Sequence, residues 1–555
     1  IQHPESTIQH PINGDSSTMA EPRGFRRQLL ITTFLGGLIS LALELAAGRL
    51  LAPAFGTTEL VWSAIIGMIL LYMSVGYAVG GRWADRAPKP ATLYTLLAAA
   101  GLTISVIPLA ARPLLTLAAQ GMLSFNLGLL AGPFVVILAL FAVPVILLAC
   151  VSPFAVRLAV GDVANSGSTI GRFSAVATLG SFIGTFLPNF VLIPNLGTRR
   201  TFLLLAMLAL STGLWGLWHA ARGRFWALVW TLLVLLGLCL SQPNAIKPLP
   251  DDPGTFLSTA SLVHEAESTY NFIQVIEDSA GRRYLLLNEG QGIHSVYTPP
   301  ELYAKNGDPL ALLTGGPWDF YLIAPFFNPA PYAPEELDNA LVIGLAAGTT
   351  PTQLTEIYGT IPIDGVEIDG EIVGVGREYF GLTQPNIKAH IMDGRTYLLQ
   401  TDTRYDLVAV DAYRLPYIPW HLTTVEFFRE VRDHLTDDGV VAINVGYTPG
   451  SSAGGNWQLV DAIVNTMRQV YPSTHIIAIP DSFNAIVVAT VQPSSPEDLA
   501  ANTPLLLDAR LRTLAQQALT HLREPGATTH IFTDDRAPVE QMTHALVLHY
   551  VLGVR

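Results

Sequence analysis

The sequence has few cysteines, few charged side chains, and fewer basic than acidic ones. Only two of its 555 residues are cysteines, Cys150 and Cys239, and both lie in apolar stretches. They exclude a disulfide framework and a thiolate metal site, and we expect them to be buried hydrophobic side chains. With 31 Lys and Arg against 44 Asp and Glu, the formal net charge is −13. This deficit of positive charge argues against a nucleic-acid partner.

The sequence also shows neither the residue spacing of a metal site nor that of a nucleophilic triad. No group of histidine, cysteine and acidic residues has the spacing of metal ligands, so the sequence predicts no metal. His421 stands in an aromatic segment without a serine or cysteine partner, which argues against a nucleophilic triad.

What the chain has in abundance is apolar sequence, because half of its residues are hydrophobic and its mean hydropathy is +0.40. A membrane-spanning helix needs roughly 20 mostly apolar residues to cross about 30 Å of hydrocarbon. Seven runs reach or approach that length: 31–52, 60–80, 92–111, 126–151, 174–193, 201–218 and 225–240. They predict a multi-pass α-helical membrane domain of about seven helices, placed in the cell membrane with the lipid bilayer as partner.

The change of composition near residue 241 divides the chain. We expect a leader or disordered segment at 1–28, a transmembrane helical domain at 29–241, a linker and β-hairpin region at 242–334, and an α/β domain at 335–555. The positive-inside rule favours an internal N-terminus, with ten basic residues on that side against five on the other. An odd number of passes then puts the α/β domain outside the cytoplasm, whereas a cytosolic ligand requires the opposite, so the side stays open.

Strands and helices alternate in the second half of the chain. "YNFIQVIED" and "RRYLLLNEG", separated by "SAG", predict a β-hairpin with a glycine turn. From "ALVIGLA" onward, apolar strands alternate with helices, which predicts a mostly parallel, Rossmann-like sheet covered on both faces. Ligands of such sheets bind at the carboxyl ends of the strands.

Polar and glycine residues follow these strands in order. An acid after the second strand can accept hydrogen bonds from a ribose diol, and one after the third can accept from an adenine amino group. The sequence therefore predicts an adenosine-type ligand at these strand ends, which carry Gly344, Gly348, Glu367, Asp369, Asp393, Gly394 and Asp411.

Several segments resemble one enzyme family. "ALVIGLAAGTT", "GVEID", "MDGR" and "YDLVAVDAY" resemble the spermidine synthase family of polyamine aminopropyltransferases, which has the class I methyltransferase fold. "ESTYNFIQV" is similar to the start of that family's hairpin, with Asn271 at its glutamine position. Together with the apolar half, "GRWADR" and "TDDRAPVE", the chain resembles the membrane-fused branch, often described as fused transporter/spermidine synthase proteins.

The resemblance implies roles for individual residues. Glu367 would hold the ribose of decarboxylated S-adenosylmethionine or of methylthioadenosine, and Asp393 with Gly394 would contact the adenine. Asp411 would be the general base that takes a proton from the attacking amine. Asn271 and Tyr413 are candidate substrate residues, and Tyr417, Trp420 and His421 either line an acceptor pocket or form a packed lid.

Two positions depart from the family pattern. Ala347 replaces the aspartate that binds the aminopropyl amine, and Arg414 stands where a second acid is usual. A buried diamine needs matched acids, so putrescine is a doubtful acceptor, and Arg414 can pair with a substrate carboxylate such as that of S-adenosylmethionine. Two hypotheses remain: a membrane-anchored transferase that uses an S-adenosyl donor and a small-molecule amine, or a catalytically degenerate ligand-binding or interaction module. A homo-oligomer is left open.

Overall fold

The chain folds into an all-helical half and an α/β half. The computed structural model describes residues 23–55, 59–125, 128–160, 166–240, 260–288, 292–304, 307–413, 417–449 and 455–552. We call residues 23–240 the helical half and residues 260–552 the α/β half. Most of the predicted leader lies outside the described residues, but helix α1 already begins at Arg23, because the polar "RGFRR" segment continues the helix of the apolar run. Arg414 also lies outside the described residues.

The helical half consists mostly of long apolar helices, several of which extend beyond the predicted runs. A single π-helical turn, Pro188–Leu192, joins the sixth helix to the seventh. The helices are α1 Arg23–Phe55, α2 Glu59–Arg86, α3 Pro90–Phe125, α4 Gly128–Ala149, α5 Val151–Ala159, α6 Ser166–Leu187, α7 Ile193–Ala220 and α8 Arg222–Leu240.

Six helical stretches within the described residues are long and apolar enough to cross a membrane. The fifth, Ser166–Ala220, has 55 residues and covers two of the seven predicted runs. At 1.5 Å per residue it would extend to about 80 Å, more than twice the hydrocarbon thickness of a bilayer. Its helix breaks at Gly197, whose φ of 78° is left-handed. The break divides the stretch into two helices that correspond to two of the predicted runs, which accounts for the difference between six and seven.

Glycines bring the helices of this half into close contact. A Cβ atom added at Gly180 of α6 would lie 2.0 Å from the carbonyl oxygen of Phe34 in α1, and one at Gly37 would lie 2.3 Å from that of Ala177. Only glycine allows backbones to approach so closely, as is common between helices in membranes. The Arg26 guanidinium also donates to Thr169 Oγ1, so α1 and α6 run parallel.

The two ends of the helical half differ in their neighbours. At one end, Arg49 and Thr198 contact the α/β half. At the other end, Arg224 donates to Thr95, and the basic residues are concentrated there: Arg26, Arg27, Arg82, Arg86, Lys89, Arg157, Arg172, Arg222 and Arg224. The N-terminus of α1 therefore lies at the basic end, opposite the α/β half.

A small antiparallel sheet opens the α/β half. The predicted hairpin is present, with strands β2 and β3 joined through Gly281 at a φ of 81°. Two flanking strands extend it to four in the order β1-β2-β3-β4. The strands are β1 Ser261–Glu267, β2 Phe272–Glu277, β3 Arg283–Leu287 and β4 Ile293–Tyr297.

The main sheet has eight strands in the order β12-β10-β11-β9-β8-β5-β6-β7. Strands β5 to β9 are parallel, whereas β10, β11 and β12 pair antiparallel, as in the predicted class I methyltransferase fold. The strands are β5 Ala340–Ile343, β6 Ile363–Glu367, β7 Ile387–Ile391, β8 Tyr405–Val410, β9 Leu435–Gly446, β10 Ser473–Ala478, β11 Asn484–Thr490 and β12 Leu522–Arg523.

Helices cover both faces of this sheet and bury its central strands. Every residue of β5 and β8 is buried, which explains their continuous apolar sequence. The helices of this half are α9 Pro300–Tyr303, α10 Pro317–Tyr321, α11 Thr349–Tyr358, α12 Gly370–Tyr379, α13 Gly394–Leu398, α14 Val425–Asp433, α15 Gln458–Met467, α16 Pro496–Asn502, α17 Ala509–Thr520 and α18 Val539–Leu552.

Part of the predicted linker belongs to the core of the α/β half. Helix α10 and the residues after it are buried, including Phe320, Tyr321, Phe326 and Phe327. These side chains pack against the apolar face of the main sheet. The aromatic residues of this segment therefore belong to the hydrophobic core and not to an exposed linker.

Candidate active site

A cavity of about 850 Å³ lies at the carboxyl ends of the parallel strands. Its volume is within the usual range for small-molecule sites. Residues from both sheets and from the C-terminal helix line it, among them Asn271, His294, Trp318, Gly344, Glu367, Asp393, Gly394, Asp411, Tyr413, Tyr417, Trp420, His421, Asn444, Asp481, Phe483 and Glu540.

The turn after β5 forms the floor of the cavity. Gly344 and Gly348 have left-handed φ values of 90° and 98°, which glycine adopts at low cost. A Cβ atom at Gly344 would lie 2.4 Å from the carbonyl oxygen of Asp411, so this glycine also allows the next strand end to approach. The backbone N–H of Ala346 donates to Glu367 Oε2 at 2.9 Å. Gly344 lines the cavity as predicted, whereas Gly348 lies against Leu382, so its conformation shapes the turn.

Glu367 ends β6 and projects into the cavity. Its carboxylate accepts hydrogen bonds from the backbone N–H groups of Ala346 and Asp369, at 2.9 and 3.1 Å. Burial nevertheless raises the pKa of Glu367 to about 7, because desolvation disfavours the charged form. A ribose diol would supply the hydrogen bonds that water cannot, so this placement suits the predicted role.

Asp369 does not line this cavity. Its Oδ2 accepts from Ser268 Oγ at 2.5 Å and from Asn271 Nδ2 at 2.9 Å. Its Oδ1 accepts from the backbone N–H of Glu371, which caps α12. Sequence reasoning grouped Asp369 with the ligand contacts because it follows a strand, but its carboxylate holds the loop before β2.

Asp393 and Gly394 form the strand end beyond Glu367. Asp393 caps α13 through the N–H groups of Arg395 and Thr396, and it accepts from His421 Nε2 at 2.8 Å. The hydrogen bond from His421 lowers the pKa of Asp393 to about 2. Gly394 packs on Ile343, where an added Cβ would lie 2.3 Å from its Cγ2. The Asp393 carboxylate thus stays ionised beside the cavity.

Asp411 follows β8 on the other side of the turn. Its Oδ1 accepts from Asn444 Nδ2 at 2.8 Å. Burial raises the pKa of Asp411 to about 7, against the opposing effect of hydrogen bonds from Asn444 and Trp318. A carboxylate with such a pKa is ionised in half of the molecules near neutral pH and readily accepts a proton, which is what a general base needs.

Two of the three predicted substrate residues, Asn271 and Tyr413, line the cavity, and the third, Arg414, is not among the described residues. Asn271 lines the cavity while its Nδ2 donates to Asp369 and its Oδ1 accepts from Asn288. Tyr413 lines it too and donates from its hydroxyl to the Asn444 carbonyl oxygen at 3.1 Å. Tyr417 and Trp420 also border the cavity. The prediction for Arg414 remains untested because that residue is not described.

Sequence reasoning missed several residues of the cavity. Trp318 comes from the predicted linker, Asp481 from the β10–β11 loop and Glu540 from α18. Burial lowers the pKa of His294 to about 4, so this imidazole is neutral. Asn444 was the most detectable in sequence, because it is the single amide in the apolar strand "GVVAINVG". Trp318, His294 and Glu540 are distant in sequence from the ends of the parallel strands, and Asp481 follows an antiparallel strand of the same sheet.

The order of strands places two groups of side chains on either side of the Gly344 turn. Glu367 and Asp393 follow β6 and β7, whereas Asp411 and Asn444 belong to β8 and β9. With strands about 4.8 Å apart, the Glu367 and Asp411 positions are separated by roughly 10 Å. Among the described residues no group of three or more His, Cys, Asp and Glu could hold a metal ion.

Comparison with known proteins agrees with this geometry. The family model described as the spermine/spermidine synthase domain matches residues 330–498. A probable polyamine aminopropyl transferase of Bifidobacterium longum is 29% identical over 304 residues, which cover 52% of this chain and 63% of that protein. The chain thus spans less than two thirds of this relative. A polyamine aminopropyltransferase of Vibrio vulnificus is 27% identical over 250 residues, with 44% and 76% covered.

Among solved structures, a probable spermidine synthase from Corynebacterium glutamicum is similar with a TM-score of 0.34 and 20% identity, covering 49% of this chain and 98% of that one. The matched family model spans the main-sheet strands β5 to β11, which hold the Gly344 turn, Glu367, Asp393 and Asp411. Residues 330–498 of this chain are therefore a spermine/spermidine synthase domain.

Proposed function

We propose that this protein transfers an aminopropyl group, or a related alkyl group, from an S-adenosyl donor to an amine. The observation that supports this most directly is the pair of buried carboxylates on either side of the Gly344 turn. Glu367 suits a ribose, and Asp411 has a pKa raised to about 7. The names of the two relatives, both polyamine aminopropyltransferases, favour this function over a degenerate ligand-binding module.

In the proposed reaction, the lone pair of the acceptor nitrogen attacks the methylene carbon next to the donor sulfonium. The new C–N bond forms as the C–S bond breaks, and the bonding electrons pass to sulfur, leaving neutral methylthioadenosine. The extra proton on the nitrogen passes to the Asp411 carboxylate. The backbone and Glu367 hold the adenosyl part, so that the reacting atoms are in line and water is excluded.

Acids from outside the predicted site support an amine as the acceptor. Ala347 leaves the turn without a carboxylate, but Asp481 and Glu540 line the same cavity. Trp318, Tyr417 and Phe483 also line this cavity, and aromatic faces attract ammonium groups. The cation-binding capacity that the turn has lost is thus supplied by later parts of the chain.

The long apolar helices support a multi-pass membrane protein. With seven passes, the basic end and the α/β half lie on opposite sides of the bilayer. Because basic residues are retained in the cytoplasm, this arrangement favours an α/β half outside it, whereas a cytosolic S-adenosyl donor requires the α/β half inside. Accessibility labelling in intact cells decides between the two sides. Lipid is then the neighbour of the exposed apolar side chains of α6 and α8, such as Phe182, Phe186 and Trp230.

The test is a turnover assay on the full chain in detergent or lipid discs. The donor is decarboxylated S-adenosylmethionine or S-adenosylmethionine, a panel of mono-, di- and triamines serves as acceptor, and mass spectrometry identifies the products. We expect methylthioadenosine from the decarboxylated donor, loss of turnover in Asp411→Asn, and weak donor binding in Glu367→Ala. Asp402→Asn, in an exposed loop outside the cavity, is the matched control and should retain activity.

Other products would change the assignment. S-adenosylhomocysteine from S-adenosylmethionine would show methyl transfer at the same site. Absence of binding of either donor and of methylthioadenosine would refute the proposal.

A further inference from the structure

We propose that the helical half is a working part of the ligand site, because Arg49 of α1 holds the loop that supports the ribose-binding carboxylate. We call residues 268–271 the supporting loop. Its role in donor binding rests on the proposed function, whereas its attachment to Arg49 does not. The inference adds a positioning residue for the site from the half of the chain that otherwise serves as an anchor.

Hydrogen bonds from Arg49 connect the helical half to the supporting loop of the α/β half. Arg49 donates from Nη1 to the Tyr270 carbonyl oxygen at 2.8 Å and from Nη2 to the Ser268 carbonyl oxygen at 2.7 Å. A longer bond of 3.4 Å joins Nη2 to the Asn271 carbonyl oxygen. Three carbonyl groups of the supporting loop thus face one guanidinium. Bonds from a charged donor are stronger than those between neutral groups.

Two side chains of the same loop, those of Ser268 and Asn271, make their contacts within the α/β half. Ser268 Oγ and Asn271 Nδ2 both donate to Asp369 Oδ2, at 2.5 and 2.9 Å. The loop therefore links Arg49 on one side to Asp369 on the other. Movement of its backbone would move the donors that fix this carboxylate.

Asp369 in turn contacts the carboxylate of Glu367 at the site. The backbone N–H of Asp369 donates to Glu367 Oε1 at 3.1 Å. An unbroken series of hydrogen bonds thus runs from Arg49 through the supporting loop and Asp369 to the carboxylate assigned to the ribose. Tyr270 and Asn271 also line the cavity, so the loop forms part of its wall.

A second contact fixes the residue just before the loop. Thr198, one residue after the break at Gly197, donates to both carboxylate oxygens of Glu267 at 3.1 and 3.2 Å. Beside these contacts a cleft of about 1140 Å³ separates the start of α7 from β1 and α12. The two halves are open to water at this cleft and, within the described residues, share no continuous apolar interface beside the loop. The polar contacts of Arg49 and Thr198 therefore set the position of the loop.

The experiment compares two arginines of one helix in the full chain in detergent. Arg49→Met removes the donors to the loop, Arg49→Lys keeps the charge and a single donor group, and Arg26→Met removes the bond to Thr169 at the other end of α1. Methylthioadenosine is the probe, with its Kd measured by calorimetry. Amide hydrogen exchange of residues 265–272 is the second readout.

We expect Arg49→Met to weaken binding by about tenfold and to speed exchange in the supporting loop, with Arg49→Lys in between. Arg26→Met should leave both readouts unchanged. Equal exchange and equal Kd in the Arg49→Met and Arg26→Met variants would overturn the inference. If Arg49→Met does not fold, Arg49→Lys decides: exchange in the supporting loop and a Kd both unchanged from the parent would overturn the inference. A parent chain that binds neither methylthioadenosine nor either donor refutes the proposed function, while exchange still decides the role of Arg49.

Discussion

Replacing Asp411 with asparagine is expected to stabilise the α/β half above neutral pH while it removes the proposed general base. Burial raises the pKa of Asp411 from its usual 3.8 to about 7. Each pKa unit corresponds to 1.36 kcal/mol between protonation states, so keeping this carboxylate ionised costs the folded protein roughly 4 kcal/mol. Asparagine has a similar shape, keeps an oxygen for Asn444 and never ionises.

The sign follows from the direction of the shift. Because the pKa of the folded state lies above that of the unfolded state, this group favours folding fully below about pH 4. That contribution is lost progressively as the pH rises through about 7. The stability advantage of Asp411→Asn should therefore grow between about pH 4 and pH 7 and stay constant above. At roughly 2–4 °C for each kcal/mol in a domain of this size, the midpoint would rise by about 10 °C at pH 8.

Thermal unfolding of the full chain in detergent, followed by intrinsic fluorescence between pH 4.5 and pH 8.5, measures this difference. Asp402→Asn controls for the loss of a negative charge, because Asp402 is exposed on a loop, and its difference from the parent should not change with pH. The same constant difference for Asp411→Asn would refute the argument that burial raises the pKa of this carboxylate.

Three further predictions follow from the geometry. Asn444→Ala removes a hydrogen bond that lowers the pKa of Asp411, the proposed general base, so the acid limb of the pH–rate profile should move up by about half a unit or more. Gly344→Ala should lower the free energy of unfolding in urea by about 3 kcal/mol or more, because φ is 90° and the added Cβ meets backbone atoms. Gly374→Ala, in open space on α12, should instead raise it by up to about 1 kcal/mol. Topology can be tested in intact cells of a strain in which both native cysteines are replaced. By the positive-inside rule, a membrane-impermeant maleimide should label Glu497→Cys and not Lys89→Cys. The reverse pattern would place the α/β half in the cytoplasm.

The strand-end residues could be predicted from sequence because alternation of apolar strands and helices determines where each strand ends. Glu367, Asp393 and Asp411 all line the cavity, as that pattern indicates. It could not tell which way a side chain turns after the strand, and so it grouped Asp369 with the ligand contacts. Asp369 lies two residues after Glu367, and its carboxylate accepts hydrogen bonds from the supporting loop instead of lining the cavity.

The rest of the site depends on tertiary contacts that leave little local signal. Trp318 belongs to a segment that composition alone presents as a linker, yet that segment is part of the core. Glu540 enters the cavity from the last helix, far along the chain from every strand that borders it. Arg49 lies at the end of an apolar run, where its charge suggests only a helix end near the membrane surface.

The distance along the chain between Arg49 and the supporting loop has a consequence for assembly. The three hydrogen bonds join residues 219 to 222 positions apart, and every helix from α2 to α8 lies between them. They can form only after α1 to α8, β1 and the supporting loop have all been synthesised. If the cavity binds an adenosyl ligand as proposed, that binding would report that both halves of the chain have been made and have come together.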